Sequence, residues 1–212
     1  MSSTSAPSAL SPRTRIVRLM VSWAAVGVGV SMLIRAQLGV SPFDVLNTGV
    51  SHVTGWSLGA AFVVNSLALF ALGWALGGTL GPACLPGSVA IGVLVNLGLR
   101  VLGEQHRLAI RIPLLVGGLV IVAIAISLVV STELGPGPTE VVMLGLIARG
   151  MPIVPARWIC DGLPVLVGIA LGGSFGVGTI VFVMVMGPMV KYGLRWLGFT
   201  PRTAPTDVTA GV

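Results

Sequence analysis

Charge is what this chain has least of. Only 8% of its 212 residues are charged, six of them carboxylates, while 55% are hydrophobic. A soluble domain carries roughly a quarter charged residues, so a soluble globular fold is excluded. The mean hydropathy of +1.02 points instead to a polytopic membrane protein. Cysteine is nearly absent as well. Cys84 and Cys160 lie in or beside apolar runs with no metal-ligand spacing, so they read as packing residues, with neither a disulfide nor a metal site implied. No Ser/His/Asp, Cys/His or His-Glu-x-x-His arrangement occurs, so the chain reads as a non-enzyme that needs no cofactor. The twelve basic residues give a net charge of +6 but sit mostly at the ends of apolar runs, as membrane anchors do. Their partner is the lipid bilayer, and no basic and aromatic pattern for nucleic acid accompanies them. The tryptophans (Trp23, Trp56, Trp74, Trp158 and Trp196) read as interfacial anchors or packing residues.

What the chain does have is glycine, thirty residues of it, and long apolar runs. Small residues let membrane helices approach closely. A span needs about 20 predominantly apolar residues, which predicts six: about Ile16–Ala36, Ser57–Gly78, Pro82–Leu102, Ile110–Ser131, Ile153–Gly173 and Val177–Leu197. Polar, proline-containing tails are expected at 1–12 and 199–212, the second including Asp207. The cluster Arg13, Arg15, Arg18 precedes a run of full spanning length with no cleavage site, so no signal peptide is read there.

An internal repeat organises the rest, with a first membrane unit over 13–103 and a second over 104–198. At an offset of 96, Arg15-Ile16 meets Arg111-Ile112, Ser31 meets Ser127, Leu38-Gly39 meets Leu134-Gly135, and Gly49 meets Gly145. At an offset of 95, Gly73 to Gly78 aligns with Gly168 to Gly173, and Gly98 to Gly103 with Gly193 to Gly198. Three spans per unit force the second copy to start from the opposite side of the membrane, which predicts inverted repeats. Both termini then share a side with Arg13, Arg15, Arg18, Arg149, Lys191, Arg195 and Arg202, against Arg35, Arg100, Arg107 and Arg111 opposite. That bias places the termini in the cytoplasm.

Each unit also carries an extra short helix. Leu-Gly-Val-Ser-Pro-Phe-Asp at 38–44 and Leu-Gly-Pro-Gly-Pro-Thr-Glu at 134–140 end an apolar run, turn, and start anew. Pro42 and Pro138 stand at the first helical position, Ser41 and Gly137 at the caps, and Asp44 and Glu140 at the third position, facing the positive end of the helix dipole. Two placements are open for these helices. They dip into the membrane as broken elements, or they lie on its surface, the first with Phe43, Val45, Leu46 and Val50 as its apolar face and Asn47, Thr48, Ser51 and His52 as its polar one.

The candidate site residues follow from the cost of charge at depth, at least about 3 kcal/mol on insertion scales. They are Asp44, Glu140 and Asp161, with Arg157 four residues before Asp161 on the same helical face, Asn65 as the repeat counterpart of Asp161, and the cap Ser41. Arg157 and Asp161 read either as a structural ion pair or as a solute- or proton-linked pair. The turn Gly176-Val177-Gly178-Thr179 is a weak candidate for an anion, since no P-loop lysine or serine follows it.

On these same residues the chain resembles the bacterial YitT/YczE family of integral membrane proteins, closer to the YczE branch. The matching features are Leu38 to Asp44, Thr54-Gly55-Trp56-Ser57-Leu58-Gly59, Gly135-Pro136-Gly137-Pro138, Arg157 and Asp161, Leu171-Gly172-Gly173, Gly176 to Thr179, and Gly187-Pro188. The resemblance implies a multi-pass bacterial plasma-membrane protein with no firmly assigned activity. One departure is Gly81-Pro82-Ala83-Cys84, which stands where a symmetric chain would repeat the Gly-x-Gly-Thr turn. Two function classes follow: a small secondary transporter or exporter of a small polar solute, or a binding module that serves a larger membrane complex. A homo-oligomer or a membrane partner is compatible with either. A channel is a weaker third reading, since so few polar residues leave little for a continuous polar stripe.

Overall fold

The computed structural model describes residues 11–198, all of them in helices and short connections with no strand among them. The helices are α1 (Pro12–Ala36), α2 (Pro42–Thr54), α3 (Leu58–Ala75), α4 (Cys84–Val101), α5 (Leu108–Thr132), α6 (Pro138–Ala148), α7 (Ile153–Ala170) and α8 (Val177–Trp196). The tails predicted at 1–12 and 199–212 lie outside the described residues, except that Ser11 caps α1 and Pro12 opens it, so this helix starts four residues before the predicted Ile16.

Each of the six predicted spans is a helix, and the two short helices begin at Pro42 and Pro138 as their proline and cap residues require. Five of the helices, α1, α3, α4, α5 and α8, are long and apolar enough to cross a membrane. The chain is therefore a polytopic helical membrane protein. The helix over the fifth predicted span, α7, carries Arg157 and Asp161 along its 18 residues and is not among those five.

Most of the helix contacts come in matching pairs; the exception is α3, which packs on α4 with no comparable contact of α7 on α8 among the described residues. Around a central contact between α1 and α5, α1 packs on α4 as α5 does on α8, α2 on α7 as α6 does on α3, and α2 on α3 as α6 does on α7. The residues at these contacts correspond too. Ser31 donates to the Gly27 and Val95 carbonyls at 2.7 and 3.2 Å, and Ser127 to those of Ala123 and Val190 at 2.8 and 3.4 Å. Gly98 and Gly193 lie directly against these two serines and leave no room for a Cβ. A methyl on Gly73 would come within 2.6 Å of the Val141 side chain on α6, and one on Gly168 within 2.5 Å of the Val45 backbone on α2. These are the sequence matches of the repeat, now seen as contacts between elements. α1 and α5 also end alike, on Gln37 and Glu133 in left-handed conformation at φ 50° and 53°. Neither residue is glycine, and each conformation carries a penalty of about 1 kcal/mol. Arg111 offsets it at the first by donating to the carbonyls of Ala36 and Gln37, and Arg15 faces the Glu133 carboxylate at 3.9 Å.

The amphipathic surface placement of α2 does not hold for Asn47 and Thr48, whereas Ser51 is partly exposed and His52 exposed. Asn47 is fully buried and Thr48 is buried with it. Thr48 donates to the Asp44 and Val45 carbonyls and accepts from the Ser174 backbone at 2.9 Å. The cover comes from α3 and α7, so these two residues, which would face water on an isolated helix, face protein here.

Candidate functional site

The two helix starts meet at one cavity of about 570 Å³. Ser41 and Asp44 of α2 line it, as do Thr139 and Glu140 of α6 and, at the end of α5, Glu133. The remaining wall is apolar and aromatic, drawn mainly from α1, α3, α4, α5 and α8. The Cys84 thiol stands at its edge, taking a hydrogen bond from the Gly81 backbone and donating to the Pro136 carbonyl.

Asp44 is held in a manner unusual for a carboxylate. Its residue is only 3% exposed, and among the described residues no Lys, Arg or His lies within ion-pair distance. Neutral donors hold it instead. The Ser41 hydroxyl donates to Oδ2 at 2.6 Å, and the Asn47 amide to Oδ1 at 3.1 Å. Asn65 of α3 then donates to the Asn47 carbonyl oxygen at 2.8 Å, which fixes the orientation of the Asn47 amide. Ser41 also accepts from the Asp44 backbone N–H, so a single hydroxyl caps the helix and orients the carboxylate above it.

Glu140 occupies the corresponding place and is treated differently. Its side chain is 39% exposed, and Arg157 of α7 approaches it at 3.5 Å. The same guanidinium binds Asp161 at 2.7 Å, one helical turn further along. Two acids thus share one cation, and the trio ties α6 to α7. The Glu140 carboxylate folds back over its own helix start, where a Cβ on Gly137 would sit 2.5 Å from it.

Of the six predicted site residues, Ser41, Asp44 and Glu140 line the cavity. Asn65 reaches Asp44 through Asn47, and Arg157 and Asp161 adjoin Glu140 behind the wall. The turn 176–179 offers no anion site. The Gly178 N–H donates to the Leu38 carbonyl at 2.6 Å and the Thr179 N–H to that of Gly176 at 2.9 Å, while the Thr179 hydroxyl accepts from Val40. A DUF6198 profile, described as a family of unknown function, matches residues 13–195.

The chain belongs to the DUF6198 family.

Relatives agree with this. The chain is 24% identical over 185 residues to an uncharacterized protein of Haemophilus influenzae, covering 87% of this chain and 85% of that one. It is 25% identical over 177 residues to the uncharacterized membrane protein YczE of Bacillus subtilis, covering 78% and 79%. No solved structure matches the chain. The YczE-like resemblance read from the motifs is thus upheld, and with it a multi-pass membrane protein.

Sequence reasoning missed two parts of this DUF6198 site. Asn47 belongs to a polar face only in the surface placement of α2, and its role as the link between Asp44 and Asn65 is not marked in the sequence. The aromatic wall is the second part: of the tryptophans expected as anchors or packing residues, Trp23 lines the cavity while Trp56, Trp74, Trp158 and Trp196 are exposed.

Proposed function

We propose that this chain is a small secondary transporter of a polar solute across the bacterial plasma membrane, with the cavity between α2 and α6 as its solute site. In this reading α7 also crosses the membrane and brings the spans to six, each repeat crosses three times, and the second unit is inverted relative to the first. α2 and α6 are then broken, re-entrant elements. Discontinuous helices at matching positions of two inverted halves are the usual pointer to a binding site near the membrane midplane. The repeat-related packing of α2 on α7 and of α6 on α3 supports the inversion. The basic residues clustered beside the N-terminus support cytoplasmic termini.

One observation carries the proposal: the acids of both short helices, Asp44 and Glu140, line a single cavity. Rocking one repeat against the other would move the two walls apart on alternate faces while the acids stay at the pivot. The test is uptake into proteoliposomes of a panel of labelled cations, anions, zwitterions and sugars. Saturable, counterflow-competent uptake of at least one class, lost in Asp44→Asn, is the expected result. Absence of uptake of all classes by a protein that elutes as a single species overturns it.

The second reading is a binding module within a larger membrane complex, and the half-exposed trio on the α6–α7 flank favours it. Arg157, with its side chain 48% exposed, leaves two acids and a guanidinium open on that flank for a partner to cover. A stoichiometric partner on affinity purification from the native membrane, together with no uptake by the isolated chain, selects this reading.

A further inference from the structure

The chemistry of the cavity is narrower than that of a general polar solute. The sequence holds six phenylalanines, and four of them, Phe43, Phe62, Phe70 and Phe182, line this one space together with Trp23. Phe43 and Phe62 meet edge to face with ring centroids 5.3 Å apart, so their orientations are fixed by each other. The charges on the wall are all of one sign. Asp44, Glu133 and Glu140 line it, and no Lys, Arg or His does among the described residues, although the chain as a whole is at +6. Arg15 and Arg157 meet Glu133 and Glu140 without lining the cavity themselves. Asp44 has no such counter-charge among the described residues.

The two helix starts would ordinarily draw an anion. Here both are already covered: Asp44 and Ser41 close the start of α2, and the Glu140 carboxylate lies over that of α6. A metal ion is a poor fit, because among the described residues no three His, Cys, Asp or Glu side chains converge as ligands. An aromatic wall with a buried carboxylate is suited to something else, since ring faces attract a cation that has shed part of its hydration.

We propose that the cavity binds a monovalent organic cation, an ammonium group on an apolar body, with Asp44 as its counter-charge and the phenylalanine and Trp23 rings around it. This rests on the reading of the cavity as the solute site and names its substrate class. Glu140, already shared with Arg157, is the lesser contributor.

The test uses the full chain in lipid nanodiscs and two permanently charged probes of similar size, benzyltrimethylammonium and phenylmethanesulfonate. Binding is read by quenching of tryptophan fluorescence and by the shift in thermal unfolding. The cation should bind at least about 10-fold more tightly than the sulfonate. Asp44→Asn should weaken the cation about 100-fold, as removal of one partner of a buried charge pair does. Phe70→Leu, which keeps most of the volume and both acids, should weaken it about 3- to 10-fold, the loss of one cation–π contact. Equal or tighter binding of the sulfonate overturns the proposal, as does cation affinity unchanged in both variants. Proteoliposome flux separates the two claims. Binding of benzyltrimethylammonium without its movement leaves the cation site standing and removes the transporter. Movement of an anion or sugar with no cation binding does the reverse.

Discussion

Asp44 and Glu140 both stand in the first turn of a short, proline-started helix, and the protein handles them in opposite ways. Asp44 is buried, held by a hydroxyl and an amide, and meets no cation among the described residues. Glu140 is partly exposed and shares Arg157 with Asp161. The difference teaches that a similar helix start does not bring similar electrostatics. A proline-led helix start delivers each acid to one cavity, with Ser41 capping α2 through its hydroxyl and Gly137 standing at the start of α6 with no side-chain cap, while the neighbours on α3 and α7 decide what each is able to do. On α3 the neighbour is Asn65, a neutral group that leaves the charge of Asp44 uncompensated. On α7 it is an arginine that has already answered the charge of Glu140. A buried carboxylate without a cation is costly, and a protein that keeps one in a cavity has reserved it for a ligand or a proton.

The comparison breaks most sharply at the acids themselves. Asp44→Asn is expected to reduce solute binding or uptake about 100-fold, and Glu140→Gln about 10-fold or less, since only the first removes an unanswered buried charge. Ligand titration of the two variants side by side checks this, and equal losses would erase the distinction. Next in size are the glycines that seat the two short helices. Gly168→Ala presses on α2 and Gly73→Ala on α6. Each should cost about 1–3 kcal/mol, as overpacking does. Matched shifts in thermal unfolding would show that the packing is symmetric where the charges are not. Arg157→Gln, which leaves Glu140 and Asp161 facing each other without their cation, should cost about 1 kcal/mol because the trio is half-exposed. Adding Asp161→Asn should restore most of that loss in a double-mutant cycle. The smallest effects are expected at the two turns. Thr179→Val should cost about 1 kcal/mol, one hydrogen bond to the Val40 N–H, and Cys84→Ala less, since a thiol donates weakly.

That last pair also explains the departure in the sequence at Gly81 to Cys84. Thr179 accepts from the N–H of Val40 at 3.1 Å, and the counterpart of Val40 is Pro136, which has no N–H to give. Only its carbonyl is left to satisfy, and the Cys84 thiol donates to it at 3.2 Å. The asymmetry between the turns is one substitution answering another.

Much of the fold was legible because its punctuation is local. Ser41 and Pro42 announce a helix start, Arg157 and Asp161 announce a shared face at a spacing of four, and the repeat announces itself through ordered matches of arginine, serine and glycine. The site was legible only as far as its charges. Phe62 and Phe70 lie within a span that is apolar apart from Asn65 and Ser66, so little in the pattern marks the side that faces a cavity. Asn47 was hidden for the opposite reason. On a short helix a polar residue reads as solvated unless the helix that covers it is known, and α7, which helps cover α2, lies more than a hundred residues further along the chain. The joining of Glu140 to Arg157 was hidden likewise, since it links two helices and obeys no spacing rule.

The exchange of partners between the halves also bears on how the chain is made. α2 packs on α7 far along the chain as well as on α3, and α6 packs back on α3 as well as on α7. The Ser174 N–H that bonds Thr48 follows α7 in the chain, so α2 is expected to lack part of its cover during synthesis until α7 has been made. Truncation after the first unit should therefore leave a nascent chain that the membrane quality-control proteases recognise, and supplying the second unit as a separate polypeptide should rescue it.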